Sequence, residues 1–247
     1  MNAEPAVQLR LLDLQALDSR LGQLDHKRRT HPAIATITEL DGRLTALRDR
    51  VVAAETEVAD LERAVAKAET DVDQVRTRSA KDQELLLSGR VGSAKELENL
   101  QREVASLARR QGDLEEAELE VMERLEDARG ALGSLVAERH ALTAARDTAV
   151  ADRDTAWGEG DRDREWVASE RVKVVTEIPA DLLALYDKLR ADHEGVGAAA
   201  LHQRRCEGCR MELTPTDIGR IRAAEPDAVL RCEECRRILV RTPESGL

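Results

Sequence analysis

The chain has 247 residues, of which 35% are charged, 42% hydrophobic and 1% aromatic: Trp157, Trp166 and Tyr186, with no Phe. An apolar share made almost wholly of Ala, Leu and Val excludes a single compact core of the usual aromatic-rich kind and points to long helices or a coiled coil. The net charge of −11 excludes a generally basic, nucleic-acid-coating surface, though it leaves room for a local patch. Arg outnumbers Lys by 32 to 6, which reads as the coding bias of a GC-rich genome before it reads as phosphate recognition. No apolar run approaches the roughly 20 residues of a membrane span, and Met1-Asn2-Ala3-Glu4-Pro5 lacks a signal peptide's basic and apolar regions. A cytoplasmic location is expected.

In chain order, Val7, Leu11, Leu14, Leu17, Leu21 and Leu24 mark a short helix over 5–30. Pro32 removes a backbone donor and disfavours helix at the residue before it, so the helix breaks near Thr30-His31. A long helix over 33–86 follows. Twelve positions from Ile37 to Val75 (Ile37, Leu40, Leu44, Leu47, Val51, Ala54 and onward) fit the alternating three-and-four spacing of a coiled-coil seam without a slip. Residues 87–93 contain Ser88-Gly89-Arg90-Val91-Gly92-Ser93, a cluster of turn formers, and Ser93-Ala94-Lys95-Glu96 reads as a capping box. The next long helix, over 94–175, carries a second stripe from Leu97 to Leu142, interrupted by Gln111, Glu118 and Arg139. The two arms form an antiparallel hairpin in which residue i faces roughly residue 180 − i, so the first helix faces about 151–173. Residues 175–190 are then expected close to the first helix.

Composition changes at Ile178-Pro179, which divides the chain into a coiled-coil domain, 1–177, and a C-terminal domain, 178–247. A short helix from Ala180 to about Arg190 precedes Gly195-Val196-Gly197, and an incoming strand is expected over 198–205. All four cysteines follow, as Cys206-Glu207-Gly208-Cys209 and Cys232-Glu233-Glu234-Cys235, with 22 residues between the pairs. Each C-x-x-C turn offers two thiolates to one ion, and two such knuckles complete a tetrahedron around zinc. Between them, Thr214 and Pro215 begin a helix, and 228–231 and 238–241 read as short strands. The expected cofactor is one structural Zn²⁺ held by Cys206, Cys209, Cys232 and Cys235, since four thiolates leave no open position for substrate. The fold class is mainly α: a long coiled-coil hairpin with a small β-rich zinc ribbon.

Five segments carry a resemblance: Leu12-Asp13-Leu14-Gln15-Ala16-Leu17-Asp18; the turn Gly89 to Leu97; Leu114-Glu115-Glu116 through Leu119 to Glu123; Ile178-Pro179 with Tyr186; and the two knuckles through Leu239. Together they make the chain similar to bacterial proteins with a coiled-coil hairpin and a C-terminal four-cysteine zinc ribbon. The resemblance implies a non-enzymatic role: some members act as flagellar regulators that bind messenger RNA or chaperone an alternative sigma factor, and a protein partner, transcription-related as in those members, is the expectation. One departure stands out against that family: Arg236 replaces the glycine that usually follows the last cysteine, either straining the knuckle or adding a surface cation.

Two binding roles follow. As a protein adaptor, the chain would use hairpin and ribbon to hold a partner. As a nucleic-acid-binding ribbon, it would use Arg231, Arg236, Arg237 and Arg241 around the second knuckle. Against the latter, residues 201–247 carry nine arginines but eight acids, and no aromatic on which a base could stack. The five histidines are scattered and no nucleophile–base motif or phosphate loop is present, so neither an enzyme nor a small-molecule substrate is expected, and no membrane.

Overall fold

The computed structural model describes all 247 residues. In chain order the elements are α1 (Pro5–Arg29), α2 (Pro32–Leu87), α3 (Ala94–Thr176), α4 (Ala180–Asp192), β1 (Ala198–His202), β2 (Arg205–Cys206), α5 (Pro215–Ala223), β3 (Leu230–Arg231) and β4 (Ile238–Arg241). The break between α1 and α2 falls at Thr30-His31, where Pro32 can begin a helix but not continue one. His31 Nδ1 accepts from the Ala33 amide and so takes up one of the donors that a helix start leaves free. The chain divides into two compact units, residues 35–149 and residues 1–34 with 150–247.

The 35–149 unit is the hairpin. Ile37, Leu40, Leu47, Val51, Leu61 and Val72 of α2 are buried, as are Leu125, Ala128 and Leu142 of α3, so both apolar stripes meet in one seam. Ser93 caps α3 by accepting the Glu96 amide at 3.2 Å. The polar interruptions are solvated. Gln111 donates to Glu115 at 2.8 Å, and Arg139 is exposed. The register differs from the 180 − i expectation. Leu61 and Leu125 share one apolar cluster with Val58, Val65, Val121 and Ala128, and Val51 shares another with Leu135. These are the partners of a 186 − i rule. The hairpin is therefore centred a few residues later than the middle of the turn. At the turn, Arg90, Val91 and Gly92 line a surface pocket together with Glu96, Asn99 and Leu100 of α3.

In the other unit, α1 lies antiparallel to the end of α3 through ion pairs Arg28–Asp161, Asp25–Arg164, Asp18–Arg171 and Arg10–Glu177. This too is displaced from the expected pairing, which placed residue 10 opposite 170. The guanidiniums of Arg28 and Arg153 lie over the ring of Trp157 of α3, 4.6 and 4.7 Å from its centroid, and Trp157 Nε1 donates to the Arg28 carbonyl.

The C-terminal sheet has the order β2-β1-β4-β3, with β1 and β4 parallel and the outer pairs antiparallel. The strand expected over 198–205 ends at His202. Gln203 and Arg204 both take positive φ, and the chain reverses into β2. Side chains alternate across the sheet and both faces are covered, which explains three consecutive buried residues in β4. Ala198, Ile238 and Val240 face Leu11, Leu14, Leu182, Tyr186 and Leu189. Ala199, Leu201 and Leu239 face α5 and the cysteines. No helix is long and apolar enough to cross a membrane.

Candidate metal centre

Each knuckle is built the same way. The amide of the residue after the second cysteine donates to the carbonyl of the first: Arg210 to Cys206 at 2.7 Å, Arg236 to Cys232 at 2.9 Å. Both arginines take left-handed φ, 59° and 60°, the conformation in which glycine is free and other residues are strained. Arg236 thus occupies a glycine-type backbone position. Gly208 is required for a different reason, since a Cβ there would lie 2.9 Å from the Ala199 Cβ.

The two knuckles bring all four Sγ atoms within 4.8 Å of one another. Across the knuckles, Cys206 Sγ lies 3.9 Å from Cys235 Sγ, and Cys209 Sγ the same distance from Cys232 Sγ. A zinc tetrahedron with bonds of about 2.3 Å has sulfur–sulfur edges of about 3.8 Å, so the cluster already has the size of the coordination sphere. No pair is bonded as a disulfide. Burial pushes the Cys206 thiol well above its ordinary range, opposed by the amides of Cys209 and Gly208. Burial also raises Cys232, opposed by the amides of Cys235 and Glu234. At Cys235 burial again acts upward, but hydrogen bonds from Arg237, Cys232 and Cys209 together bring the thiol below its ordinary value. Buried thiols that need a countercharge, with amides aimed at their sulfurs, fit a structural dication.

The centre belongs to a family already described. A model of the CT398-like coiled-coil hairpin domain matches residues 14–194, and a model of the C4-type zinc ribbon domain matches residues 205–239. The chain belongs to the CT398-like hairpin family. Its cofactor is one structural Zn²⁺. The chain is 38% identical over 244 residues, 98% of each chain, to the uncharacterized protein Rv2229c of Mycobacterium tuberculosis. An uncharacterized Mycobacterium leprae protein is 30% identical over 237 residues. A solved Mycobacterium smegmatis structure matches with a TM-score of 0.83 and 36% identity, covering 98% of this chain and all of the other. CT398 of Chlamydia trachomatis matches with a TM-score of 0.65 at 19% identity, covering 96% and 98% of the two chains, a likeness of fold.

The four arginines of the second knuckle do not form one free cationic face. Arg237 is half-buried and donates to the carbonyls of Val196, Gly208 and His193, tying the end of α4 to the first knuckle. Arg241 donates to the carbonyls of Ala224, Glu225, Pro226 and Ala228, closing the loop after α5. Arg231 donates to the Arg236 carbonyl at 2.7 Å, and Arg236 pairs with Glu233. Exposed arginines without a carboxylate partner in this region include Arg204, Arg205 and Arg210 at the first knuckle and β1–β2 turn, and Arg222 in α5.

Sequence reasoning missed a buried polar network that seats the ribbon on α1. Gln15 Oε1 accepts the Gly197 amide at 2.7 Å while its Nε2 donates to the Gly195 carbonyl. Asp18, whose side chain is 1% exposed, accepts from Arg171 at 2.7 Å, Arg190 at 2.6 Å and the Tyr186 hydroxyl at 2.8 Å. Gln8 Nε2 donates to the carbonyls of Ala3 and Asp227. Gly197 must stay without a side chain, because a Cβ would meet the Tyr186 carbonyl at 2.6 Å. A signal was present in the sequence. Gln8, Gln15 and Asp18 recur at the three-and-four spacing of the buried face of α1, where a simple amphipathic helix would place apolar residues.

Proposed function

We propose that the protein is a non-enzymatic adaptor that binds a partner protein, with zinc held by Cys206, Cys209, Cys232 and Cys235 as a structural stud that keeps the ribbon folded. The observation that carries this reading is the fate of Arg237 and Arg241. Both guanidiniums end on backbone carbonyls inside the ribbon, so two of the four cations that would address phosphate are already spent on the fold. A hairpin of helices bound only to each other, by contrast, offers long faces to a third helix. The partner is expected to be transcription-related, as the family resemblance implies.

A nucleic-acid reading retains one supporting observation, the exposed trio Arg204, Arg205 and Arg210. Affinity capture with and without nuclease separates the two. Protein partners that survive nuclease support the adaptor, and loss of all partners supports nucleic acid. In that second case the Arg204→Ala, Arg205→Ala and Arg210→Ala changes should each lower the salt dependence of binding by roughly one charge. Arg237→Ala and Arg241→Ala should lower ribbon stability instead.

A further inference from the structure

The acidity of the hairpin is not spread evenly. Segments 59–73 of α2 and 113–127 of α3 lie opposite each other under the 186 − i register, and together they carry thirteen acids against three bases. At the same level the surface is apolar where a soluble coiled coil is normally charged: Leu119 is 60% and Met122 45% exposed. These two residues stand one position beyond the seam residues Glu118 and Val121, so they form a second stripe along one flank of α3. They line a groove whose opposite wall is Ala66 of α2 and whose floor includes Val65 and Leu125. Ala66 leaves that wall low, and Met122 is unbranched and adaptable, so the groove can receive an inserted side chain. Its rim is acidic. Glu62 is paired with Arg129 at 2.6 Å, whereas Glu69, Glu123 and Glu126 have no cationic partner.

We propose that this groove is the docking site for a basic amphipathic helix of a partner protein, with its apolar stripe seated on Leu119 and Met122 and its flanking Lys or Arg side chains meeting Glu69, Glu123 and Glu126. The inference rests on the adaptor reading and adds to it the place and the chemistry of the partner. Charge decides among occupants. A second copy docking by the same face would bring one acidic band against another, and the phosphates of RNA would meet the same repulsion. The segment from 115 to 129 spans about 20 Å, which matches a partner helix of three to four turns.

The test uses the full-length zinc-loaded protein and a labelled helical peptide of about 18 residues built from Leu and Lys with one apolar stripe. Fluorescence anisotropy should show saturable binding, and a peptide of the same composition but scrambled order should bind at least about tenfold more weakly. Leu119→Ser with Met122→Ser should abolish the difference between the two peptides without changing helical content, because both side chains are exposed. Glu69→Gln, Glu123→Gln and Glu126→Gln together should weaken binding and flatten its salt dependence. Equal affinity for ordered and scrambled peptides, or an unchanged affinity in the Leu119/Met122 variant, would overturn the proposal. So would a dimer of the wild type that the same variant dissociates, since the groove would then serve self-association. If nuclease-resistant partners captured from cells remain bound to the Leu119/Met122 variant, the groove is wrong while the adaptor reading stands. If none survive nuclease in the wild type, both fail.

Discussion

Asp18 holds the most demanding position in the chain. Its carboxylate is withdrawn from water and satisfied by two guanidiniums and a phenol drawn from α3 and α4, so removing it would leave cations facing an empty acceptor. Breaking one partner of such a buried pair costs about 3–5 kcal/mol, and Asp18→Ala should lower unfolding free energy by that order in denaturant titration. Tyr186, on the other side of this contact, is fully buried; burial first, and then the adjacent Asp18 charge, push its phenol far above the ordinary range. A raised folded-state pKa means that the neutral form is the one the fold favours. The stabilisation is therefore complete below about pH 10, where the unfolded phenol titrates, and is lost progressively as the pH climbs toward the folded value. Tyr186 is the sole tyrosine, so phenolate absorbance reports it alone. The folded protein should show no phenolate signal through pH 10 and should gain it only with unfolding, whereas a free titration near pH 10 in the folded state would refute the burial argument. Arg236 makes the opposite case, a residue in a conformation that suits another. Arg236→Gly should relieve about 1 kcal/mol of left-handed strain and raise the thermal midpoint of the zinc-loaded protein, even though it gives up an exposed pair with Glu233.

At the scale of elements, the apolar spacing located both helical arms and the break at Thr30-His31, because seam periodicity and proline sterics are local properties of the chain. Register is not local. It depends on which side chains of the two arms meet in the seam, and the clusters formed place the pairing at 186 − i rather than 180 − i. A pair of engineered thiols reads that difference. Val58→Cys with Ala128→Cys should cross-link readily under mild oxidation, while Val58→Cys with Met122→Cys, the pair required by the unshifted rule, should not. The ribbon was legible for the same reason as the arms: cysteine spacing, the Thr214 cap and the short strands are all read over a few residues. What escaped was the seat beneath it. The spacing of Gln8, Gln15 and Asp18 reveals polar side chains on the apolar face of α1, but not what they meet: the Gly197 amide and the side chains of Tyr186 and Arg190, some 170 residues away. Local pattern contains no information about such distant partners, and the four arginines of the second knuckle illustrate the same limit, since nothing in their spacing tells a phosphate ligand from a clamp on Val196 or Pro226.

Across the whole molecule, the N-terminus and the zinc ribbon belong to one folding unit although they lie at opposite ends of the chain. The Ala3 amide donates to Asp227 at 2.7 Å, the Val229 amide donates to Met1, and Leu11 and Leu14 share a core with Ile238 and Val240. The hairpin between residues 35 and 149 has its own seam. Zinc supplies folding energy only to what is packed around it, and four clustered thiolates, two of them buried, must take up protons or move apart when deprived of a dication. Stripping the metal with a strong chelator should therefore release amide hydrogen-exchange protection in the ribbon and also at Ala3 and in the first turns of α1, more than 200 residues earlier in sequence. Amides of residues 35–149 should keep their protection, and far-UV helicity should fall only slightly, since most helical residues lie outside the ribbon. The same pattern is expected for Cys232→Ser. Loss of protection restricted to residues 198–241, with α1 unaffected, would mean that the Gln8 and Gln15 contacts do not couple the two ends. Uniform loss along the hairpin would mean that the two units do not fold independently.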